Sequence, residues 1–338
     1  MQLEVVVASG KGGVGKSLIS AELSLALLKE GYAVTAIDAD ADAPNLHLVL
    51  GGAEWEVVRE YSEGFVAKIL EGKCVGCGRC AEACPYDAVR RDPRSGAYVV
   101  NELLCEGCAV CSLVCPVNAI ARVKAFTGIV RAGRTRVGNV RIAGARLRPG
   151  RPNSGRLVTE VKALARQLWG GSTEVFVVDA AAGIGCQVIA SLAGASAAVL
   201  VAEPTPASLE DLRRVHRVVK HFGLPAALII NKSGLSDSAE GRLVEYAESE
   251  GLDLLGRVPY DDVVPESVAN LTPVTVAAPN SEAGRGLREV CARAVERLIK
   301  GWDSWRVEYA PRAPEPYIPE VIPPPELARK AINSRHPS

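Results

Sequence analysis

The sequence predicts an α/β protein in which a doubly wound, mainly parallel sheet is interrupted by a small inserted α+β domain. Two observations predict the sheet: short apolar strands alternate with helical segments, and a Gly-rich turn joins the first strand to the first helix. A third predicts the insert, because two cysteine-dense repeats break this alternation. The predicted divisions are residues 1–64 and 124–305 for the sheet domain, 65–123 for the insert and 306–338 for an extended, proline-rich tail.

The elements of the sheet domain can be placed in order. Strands are predicted at residues 3–8, 33–37, 175–179, 197–202 and 226–231, and helices at 16–30, 157–169, 208–222 and 283–300. Residues 124–156 are expected to form short strand-like pieces broken by glycines. Eight prolines follow residue 308, and because proline blocks both helix and ladder pairing, the tail is predicted to be extended.

Composition describes an ordinary globular protein. The 338 residues are 48% hydrophobic and 23% charged, and 39 basic residues balance 39 acidic ones. Bulk charge therefore favours neither nucleic acid nor a membrane surface as a partner. No apolar run reaches the roughly 18 residues of a spanning helix, and the first eight residues lack the regions of a secretory signal. A cytoplasmic location is expected, where thiols stay reduced and clustered cysteines indicate metal rather than disulfides.

The turn after the first strand has the sequence of a phosphate-binding loop. It reads Gly10-Lys11-Gly12-Gly13-Val14-Gly15-Lys16-Ser17 and lies between a strand and a helix. In this context backbone N–H groups surround phosphate oxygens at the positive end of the helix. Lys16 is expected to reach the β- and γ-phosphates of ATP, and the Ser17 hydroxyl to bind Mg²⁺.

Carboxylates end two of the predicted strands. Asp38, Asp40 and Asp42 follow the second strand, and Asp179 ends the strand that begins at Val175. Such acids hold Mg²⁺ and its waters or orient an attacking water. Asp38 and Asp40 are therefore candidates for catalysis, with the choice between them open, and Asp179 is a candidate Mg²⁺ ligand. A solvated acidic loop is the alternative for the first group.

Eight of the ten cysteines fall in two copies of the pattern C-x2-C-x2-C-x3-C-P. In such repeats three cysteines of one copy and the last cysteine of the other hold a [4Fe–4S] cluster. The first cluster is thus assigned to Cys74, Cys77, Cys80 and Cys115, and the second to Cys105, Cys108, Cys111 and Cys84. Zinc is the alternative, although structural zinc usually separates two cysteine pairs by a longer span. Two clusters so close together would exchange electrons.

Together these motifs resemble the deviant Walker A ATPases, the class of MinD, ParA and nitrogenase iron protein, with an inserted two-cluster bacterial ferredoxin domain. The resemblance rests on Lys11, on Pro44-Asn45-Leu46 and on residues 149–155 and 202–206. It implies a homodimer with ATP at the interface, in which Lys11 reaches the partner's nucleotide and stabilises transition-state charge. It also implies that the segment after the second strand, including Asp42, is switch I, that residues 180–185 are switch II, and that Asn231 and Lys232 contact adenine. Asparagine at a strand end is otherwise usually a turn or cap residue.

Two cysteines and a basic stretch lie outside these motifs. Cys186 is placed like a cluster ligand of nitrogenase iron protein, but burial as a small apolar side chain is favoured for it, as for Cys291. From Gly107 to Thr159 there are ten lysines or arginines and no acid. These cations could offset anionic clusters, dock an acidic redox partner, face nucleotide in a dimer or simply be solvated. Nucleic acid is not favoured as their partner.

Three functions compete. ATP-gated electron transfer ranks first, with an unidentified redox or iron–sulfur protein as partner. An iron–sulfur assembly or carrier ATPase ranks second, because closed four-cysteine sites are poorly suited to releasing a cluster. A MinD-like positioning ATPase is a distant third, since the proline-rich tail does not supply an amphipathic membrane helix.

Overall fold

A computed structural model of the chain describes residues 2–151 and 154–311. The predicted tail from residue 312 onward, together with Pro152 and Asn153, lies outside the described residues. The strands are β1 (Leu3–Ser9), β2 (Val34–Asp38), β3 (Ala53–Ile69), β4 (Val89–Arg91), β5 (Tyr98–Val100), β6 (Ile120–Thr135), β7 (Arg141–Leu147), β8 (Val175–Ala182), β9 (Ala197–Ala202), β10 (Ala226–Ser233) and β11 (Asp253–Pro259).

The helices among these described residues vary widely in length. They are α1 (Lys16–Lys29), α2 (Leu46–Val49), α3 (Arg79–Glu82), α4 (Val110–Leu113), α5 (Gly155–Trp169), α6 (Cys186–Leu192), α7 (Pro206–His221), α8 (Asp237–Glu250), α9 (Val263–Ala269), α10 (Val274–Ala277), α11 (Glu282–Ala294) and α12 (Trp302–Glu308), with a π-helical turn over Val295–Lys300 after α11. No helix in this part of the chain has both the length and the apolar character required to cross a bilayer.

Within the described residues, nine strands form one sheet in the order β11-β10-β9-β1-β8-β2-β7-β6-β3. The pairs from β11 to β7 are all parallel, whereas β6 is antiparallel to both β7 and β3. In a parallel sheet the carboxyl ends of the strands lie along one edge. The loops that follow β1, β2, β8 and β10 therefore meet there.

Helices cover both faces of this sheet. β1 is buried along its whole length; Val5 and Val7 pack in the core formed with α1 and α11, and Val6 and Ala8 in the core formed with α5 and α7. This burial on both faces explains why the strands are continuous apolar runs. The buried Glu4 is paired with Lys162 on α5 at 2.7 Å, as a buried charge requires.

β3 and β6 form a long antiparallel ribbon that carries the insert. Their register runs from Ala53 opposite Thr135 to Ile69 opposite Ile120. β6 pairs with β7 only as far as Gly128, so beyond that point the ribbon extends away from the sheet. The predicted boundaries at residues 64 and 124 lie inside β3 and β6, and the division into domains stays a prediction.

The expectation of short, glycine-broken pieces over residues 124–156 is wrong for β6, which runs through Gly128 and Gly133. A Cβ atom at Gly133 would lie 1.9 Å from the carbonyl oxygen of Glu54, and one at Gly128 would lie 2.5 Å from that of Arg146. These glycines therefore allow neighbouring backbones to approach closely inside a continuous strand.

Candidate nucleotide site and cysteine cavities

The phosphate-binding loop joins β1 to α1, and its shape depends on glycine. Gly13 and Gly15 have φ values of 78° and 99°, which side chains rarely permit. A Cβ atom at Gly15 would also lie 2.2 Å from Nδ2 of Asn231. That amide donates a hydrogen bond to the carbonyl of Val14 at 2.8 Å, so Asn231 supports the loop from the end of β10.

A cleft of about 790 Å³ lies against this loop, within the usual size range of small-molecule sites. Lys16 and Ser17 line it at the start of α1, Asp40 lies on a second side, and Lys232 and Tyr260 lie on a third. Lys16 is largely buried, and this burial lowers its pKa against the opposing effect of Asp179 and Asp40. The cleft therefore combines helix N-terminal N–H groups with a lysine, as a nucleotide phosphate requires.

Two buried carboxylates lie side by side behind the loop. Asp38, the last residue of β2, and Asp179, within β8, are register partners. Burial raises the pKa of Asp179 to about 6, although it accepts hydrogen bonds from Ser17 and, at 3.1 Å, from Ser20. Burial and the charge of Asp179 raise the pKa of Asp38 well above its ordinary value. A divalent cation would relieve this crowding of negative charge, and Ser17 and Asp179 are hard oxygen donors of the kind that Mg²⁺ prefers.

Asp38 and Asp40 differ in where their carboxylates lie. Asp38 is 2% exposed, and its oxygens accept hydrogen bonds from the backbone N–H groups of Leu46 at 3.1 Å and Asp40 at 3.2 Å. Asp40 is half-buried and lines the cleft, whereas Asp42 is exposed. Asp40 is thus placed to meet a bound nucleotide, and Asp38 organises the loop that carries it.

Lys11 is held within its own chain by Glu203. Its Nζ lies 2.5 Å from Oε1 of Glu203 and donates to Oγ1 of Thr205 at 3.4 Å. Oε2 of Glu203 accepts from Nζ of Lys232 at 2.8 Å, and the same amine donates to the carbonyl of Gly13 at 2.8 Å. Although burial acts in the other direction, these two lysines lower the pKa of Glu203. Glu203 is a site residue that the motif search missed, since the only signal was its position within residues 202–206.

The eight repeat cysteines surround two cavities in the insert. Cys74, Cys77, Cys80 and Cys115 line one, which is called the first cavity below. Cys105, Cys108, Cys111 and Cys84 line the other, the second cavity. Each cavity thus receives three thiols from one repeat and the fourth from the other, as in the grouping that the spacing predicts.

The two repeats have matching backbone geometry. Three residues after the last cysteine of each repeat, Asp87 and Asn118 have φ values of 49° and 50°. The next N–H groups donate to the cysteine sulfurs: Ala88 to Cys84 at 3.3 Å and Ala119 to Cys115 at 3.2 Å. N–H donors aimed at sulfur suit a thiolate bound to metal.

The donor set of each cavity fits an iron–sulfur cluster, because four thiolates are its usual ligands. Among the described residues, no group of three or more His, Cys, Asp or Glu side chains is arranged to hold a single metal ion. The hydrophobic core around the thiols is small, since the cluster of the insert contains four buried residues, Ala67, Cys80, Val89 and Cys111. Cys80 and Cys111, one from each cavity, share this cluster.

Residues 5–274 match the family described as the CobQ/CobB/MinD/ParA nucleotide binding domain. The chain belongs to this family. An uncharacterized protein of Methanocaldococcus jannaschii is 28% identical over 295 residues, covering 87% of this chain and 97% of its own length. An iron–sulfur cluster carrier protein of Pyrococcus abyssi is 24% identical over 308 residues, covering 87% and 86%.

The solved structure of the septum site-determining protein MinD of Pyrococcus horikoshii, complexed with Mg-ADP, is similar with a TM-score of 0.54 and 21% identity. It covers 86% of this chain and 95% of that one. At this identity the likeness concerns the fold, and it confirms the predicted α/β nucleotide-binding fold with its mainly parallel sheet. The CobQ/CobB/MinD/ParA match extends through the insert, whose ferredoxin-like character stays a prediction.

The prediction that Cys186 is buried is wrong. Cys186 is exposed at the start of α6, immediately after the predicted switch II. The reason is that α6 begins where the carboxyl ends of the parallel strands meet solvent, and Ile184 and Ile189 are exposed there too. Cys291 on α11 is buried, as predicted.

The basic stretch between residues 107 and 159 is not one continuous solvated face. Arg131 is 8% exposed and lies over the ring of Trp55 at 4.0 Å. Arg148 and Arg151 pair with Glu102, at 3.2 and 3.3 Å. Several of these arginines are therefore engaged by acidic and aromatic groups that precede them in the chain.

Proposed function

We propose that this protein binds and hydrolyses ATP with Mg²⁺, and that its nucleotide state controls electron transfer through two [4Fe–4S] clusters held by the insert. The observation that carries the proposal is the pair of four-cysteine cavities on a ribbon continuous with the nucleotide-binding sheet. A flexible terminal attachment could ignore the nucleotide, whereas strands shared with the sheet are placed to respond to it.

The residues around the cleft supply the parts that ATP hydrolysis needs. Lys16 and the loop N–H groups would bind the phosphates, and Ser17 with Asp179 would hold Mg²⁺ and its waters. Asp40 would orient the attacking water, because it lines the cleft, whereas Asp38 is almost fully buried behind it. The similar MinD structure is complexed with Mg-ADP, which supports an adenine nucleotide with Mg²⁺ as the ligand of this fold. Asn231 and Lys232 border the same cleft and would face the base or ribose.

We place the active form in a homodimer with ATP at the interface, as the Lys11 motif implies. In the single chain Lys11 is paired with Glu203. It would therefore have to leave Glu203 to stabilise transition-state charge at the partner's nucleotide. The exposed apolar side chains of Ile184, in the predicted switch II, and Ile189, shortly after it, are suited to burial in such an interface.

The cysteine cavities support the redox half of the proposal. When bound, the clusters supply reversible one-electron transfer. Each four-thiol set can close a cluster site, and the shared packing of Cys80 and Cys111 brings the two sites together. One electron would enter from a one-electron iron–sulfur donor protein and leave to a one-electron acceptor protein. A hydrophobic cluster of four buried residues is small for an insert of this length, so metal ligation would also stabilise its fold.

Cluster carriage is the second candidate, favoured by relatives named as iron–sulfur cluster carrier proteins and by the exposure of Cys186. A carrier needs cysteines that release their cluster. The eight insert cysteines instead lie in two four-thiol sets, so only Cys186 would be available for a transferable cluster. Electron transfer accounts for more of the cysteines and ranks first.

The test compares anaerobic protein bound to Mg-ADP with the same protein bound to a non-hydrolysable ATP analogue. We expect the rate of reduction by dithionite to differ between the two states, and the equilibrium between oxidised and reduced clusters to shift by about fivefold or more, a typical coupling between linked sites. Lys16→Ala is the matched control: it should keep its iron and lose the difference, because the phosphates are no longer held. Equal rates and equal midpoint potentials in the wild type would exclude gating, and purified protein without iron would exclude the redox half.

A further inference from the structure

The segment that follows β7 contacts the predicted switch I. We call residues 147–151 the bridging segment. The N–H of Leu147, the last residue of β7, donates to the carbonyl of Ala41, in the predicted switch I, at 3.3 Å. Movement of switch I would therefore press on this segment.

The same segment contacts the insert. Nη1 of Arg148 and Nη2 of Arg151 both donate to Oε2 of Glu102, at 3.2 and 3.3 Å. A Cβ atom at Gly150 would lie 3.1 Å from Cδ2 of Leu103, so the Leu103 side chain occupies the space beside the Gly150 backbone, next to the ion pairs. The bridging segment thus reaches the insert through both charge and packing.

These ion pairs differ in strength. Exposed pairs contribute little, because water and salt screen them, and the side chains of Arg148 and Glu102 are 42% and 50% exposed. The Arg151 side chain, however, is 6% exposed. Its guanidinium is therefore largely shielded, so the Arg151–Glu102 contact is the firmer of the two.

A short hydrogen-bonded turn joins Glu102 to the second cavity. The carbonyl of Asn101 accepts from the N–H of Cys105 at 3.1 Å, and the Asn101 side chain accepts from the N–H of Leu103 at 3.0 Å. Cys105 lines the second cavity, and its sulfur accepts from the N–H of Ala67 in β3 at 3.4 Å. Glu102 and Cys105 are thus three positions apart in one turn, so a displacement of Glu102 would be transmitted to a thiol of that cavity.

We propose that Glu102, held by Arg148 and Arg151, is the positioning residue through which switch I acts on the second cysteine cavity. This inference rests on the proposed function and adds its route: switch I moves the bridging segment, which moves the turn that carries Cys105. Linkage then requires the converse as well, so the redox state of the insert alters nucleotide affinity by the same factor.

The test measures the affinity of the non-hydrolysable ATP analogue for oxidised and for dithionite-reduced protein, both anaerobic and with iron fully loaded. In the wild type we expect the two dissociation constants to differ by about fivefold or more. Glu102→Gln keeps the size of the side chain and removes its charge, and it should bring the ratio to within about twofold of one while the iron content is unchanged. Glu71→Gln is the matched control. That acid is exposed in the insert and lines neither cavity, so its neutralisation should leave the ratio at the wild-type value.

Arg151→Gln breaks the Arg151–Glu102 contact without changing the insert. The contact can therefore still be tested if Glu102→Gln loses iron. Arg151→Gln should also bring the ratio close to one, and the double variant should be no worse than Glu102→Gln alone, since both changes remove the Arg151–Glu102 contact. A wild-type ratio retained in Glu102→Gln or in Arg151→Gln would overturn the inference and leave the proposed function standing. A wild-type ratio of one would overturn both.

Discussion

Removing cysteines in pairs tests how the two cavities are built. Cys84 follows Cys74, Cys77 and Cys80 in its own repeat, but it lies at the second cavity, with Cys105. Cys84→Ala with Cys105→Ala therefore removes two of four thiols from one cavity and none from the other. Cys84→Ala with Cys74→Ala removes one thiol from each cavity.

The expected iron content follows directly from these placements. Two intact [4Fe–4S] sites hold about eight irons per chain. The Cys84/Cys105 double variant should keep about four, because the first cavity retains its four thiols. The Cys84/Cys74 double variant should fall toward zero, because both cavities are left with three thiols, and Cys291→Ala should keep about eight, since that buried residue lies on α11.

Iron and acid-labile sulfide are measured per chain after anaerobic purification, with circular dichroism to verify that each variant is folded. If each repeat instead closed its own site, the two results would be exchanged: the Cys84/Cys74 variant would keep half of its iron, and the Cys84/Cys105 variant would lose nearly all of it. That exchange would refute the cross-paired arrangement. Zinc in place of iron in the wild type would refute the cluster assignment itself.

Lys11→Ala should lower the ATP turnover rate, measured by phosphate release, by about 10³-fold or more, the rate enhancement that a cation reaching in from the partner usually supplies. The affinity for ATP, measured by equilibrium binding, should change by less than about threefold. Loss of ATP binding would show that Lys11 acts within its own chain, beside Glu203. His216 contributes to the loss of stability in acid, because burial lowers its pKa from 6.5 to about 4. The unfolded chain therefore binds the proton first, and stability is lost as the pH falls through this range, by about 2 kcal/mol at pH 5. In urea unfolding, His216→Phe should lose about that much less than the wild type between pH 7 and pH 5, whereas the exposed His221→Gln should match the wild type; parallel curves for all three would disprove this assignment.

Much of the nucleotide-binding domain could be predicted from sequence, because its signals are local. The apolar runs at Val175 and Ala197 become strands at the predicted positions, and Gly31 follows the end of the first helix. Buried parallel strands must be apolar along their length, and a left-handed glycine commonly ends a helix. Such constraints act over a few residues and are visible in any short window of the sequence.

The remainder depended on contacts between distant parts of the chain. Glu203 is far from Lys11 in sequence, and only the folded sheet places them together. The proposed preference for Asp40 over Asp38 rests on which carboxylate lines the cleft, and this depends on how the loop after β2 folds back to place Leu46 against Asp38. For Cys186, residue type favours burial, whereas its position at the edge of the sheet leaves it exposed. In β6 the glycines allow neighbouring backbones to approach closely. From one sequence, a glycine with this role cannot be distinguished from a glycine that ends a strand.

The ribbon also sets the order in which this protein can fold. β3 is the outermost strand of the sheet, and its one partner there among the described strands is β6. The two strands are separated by 50 residues (70–119). A nascent chain therefore exposes a strand of 17 residues, β3, with unpaired N–H and C=O groups until all eight repeat cysteines have been synthesised. Such an edge readily pairs with other chains and aggregates. If the region between the strands closes on iron and sulfide, supply of those elements becomes a condition for burying the edge, and iron-starved cells should accumulate this protein in insoluble form.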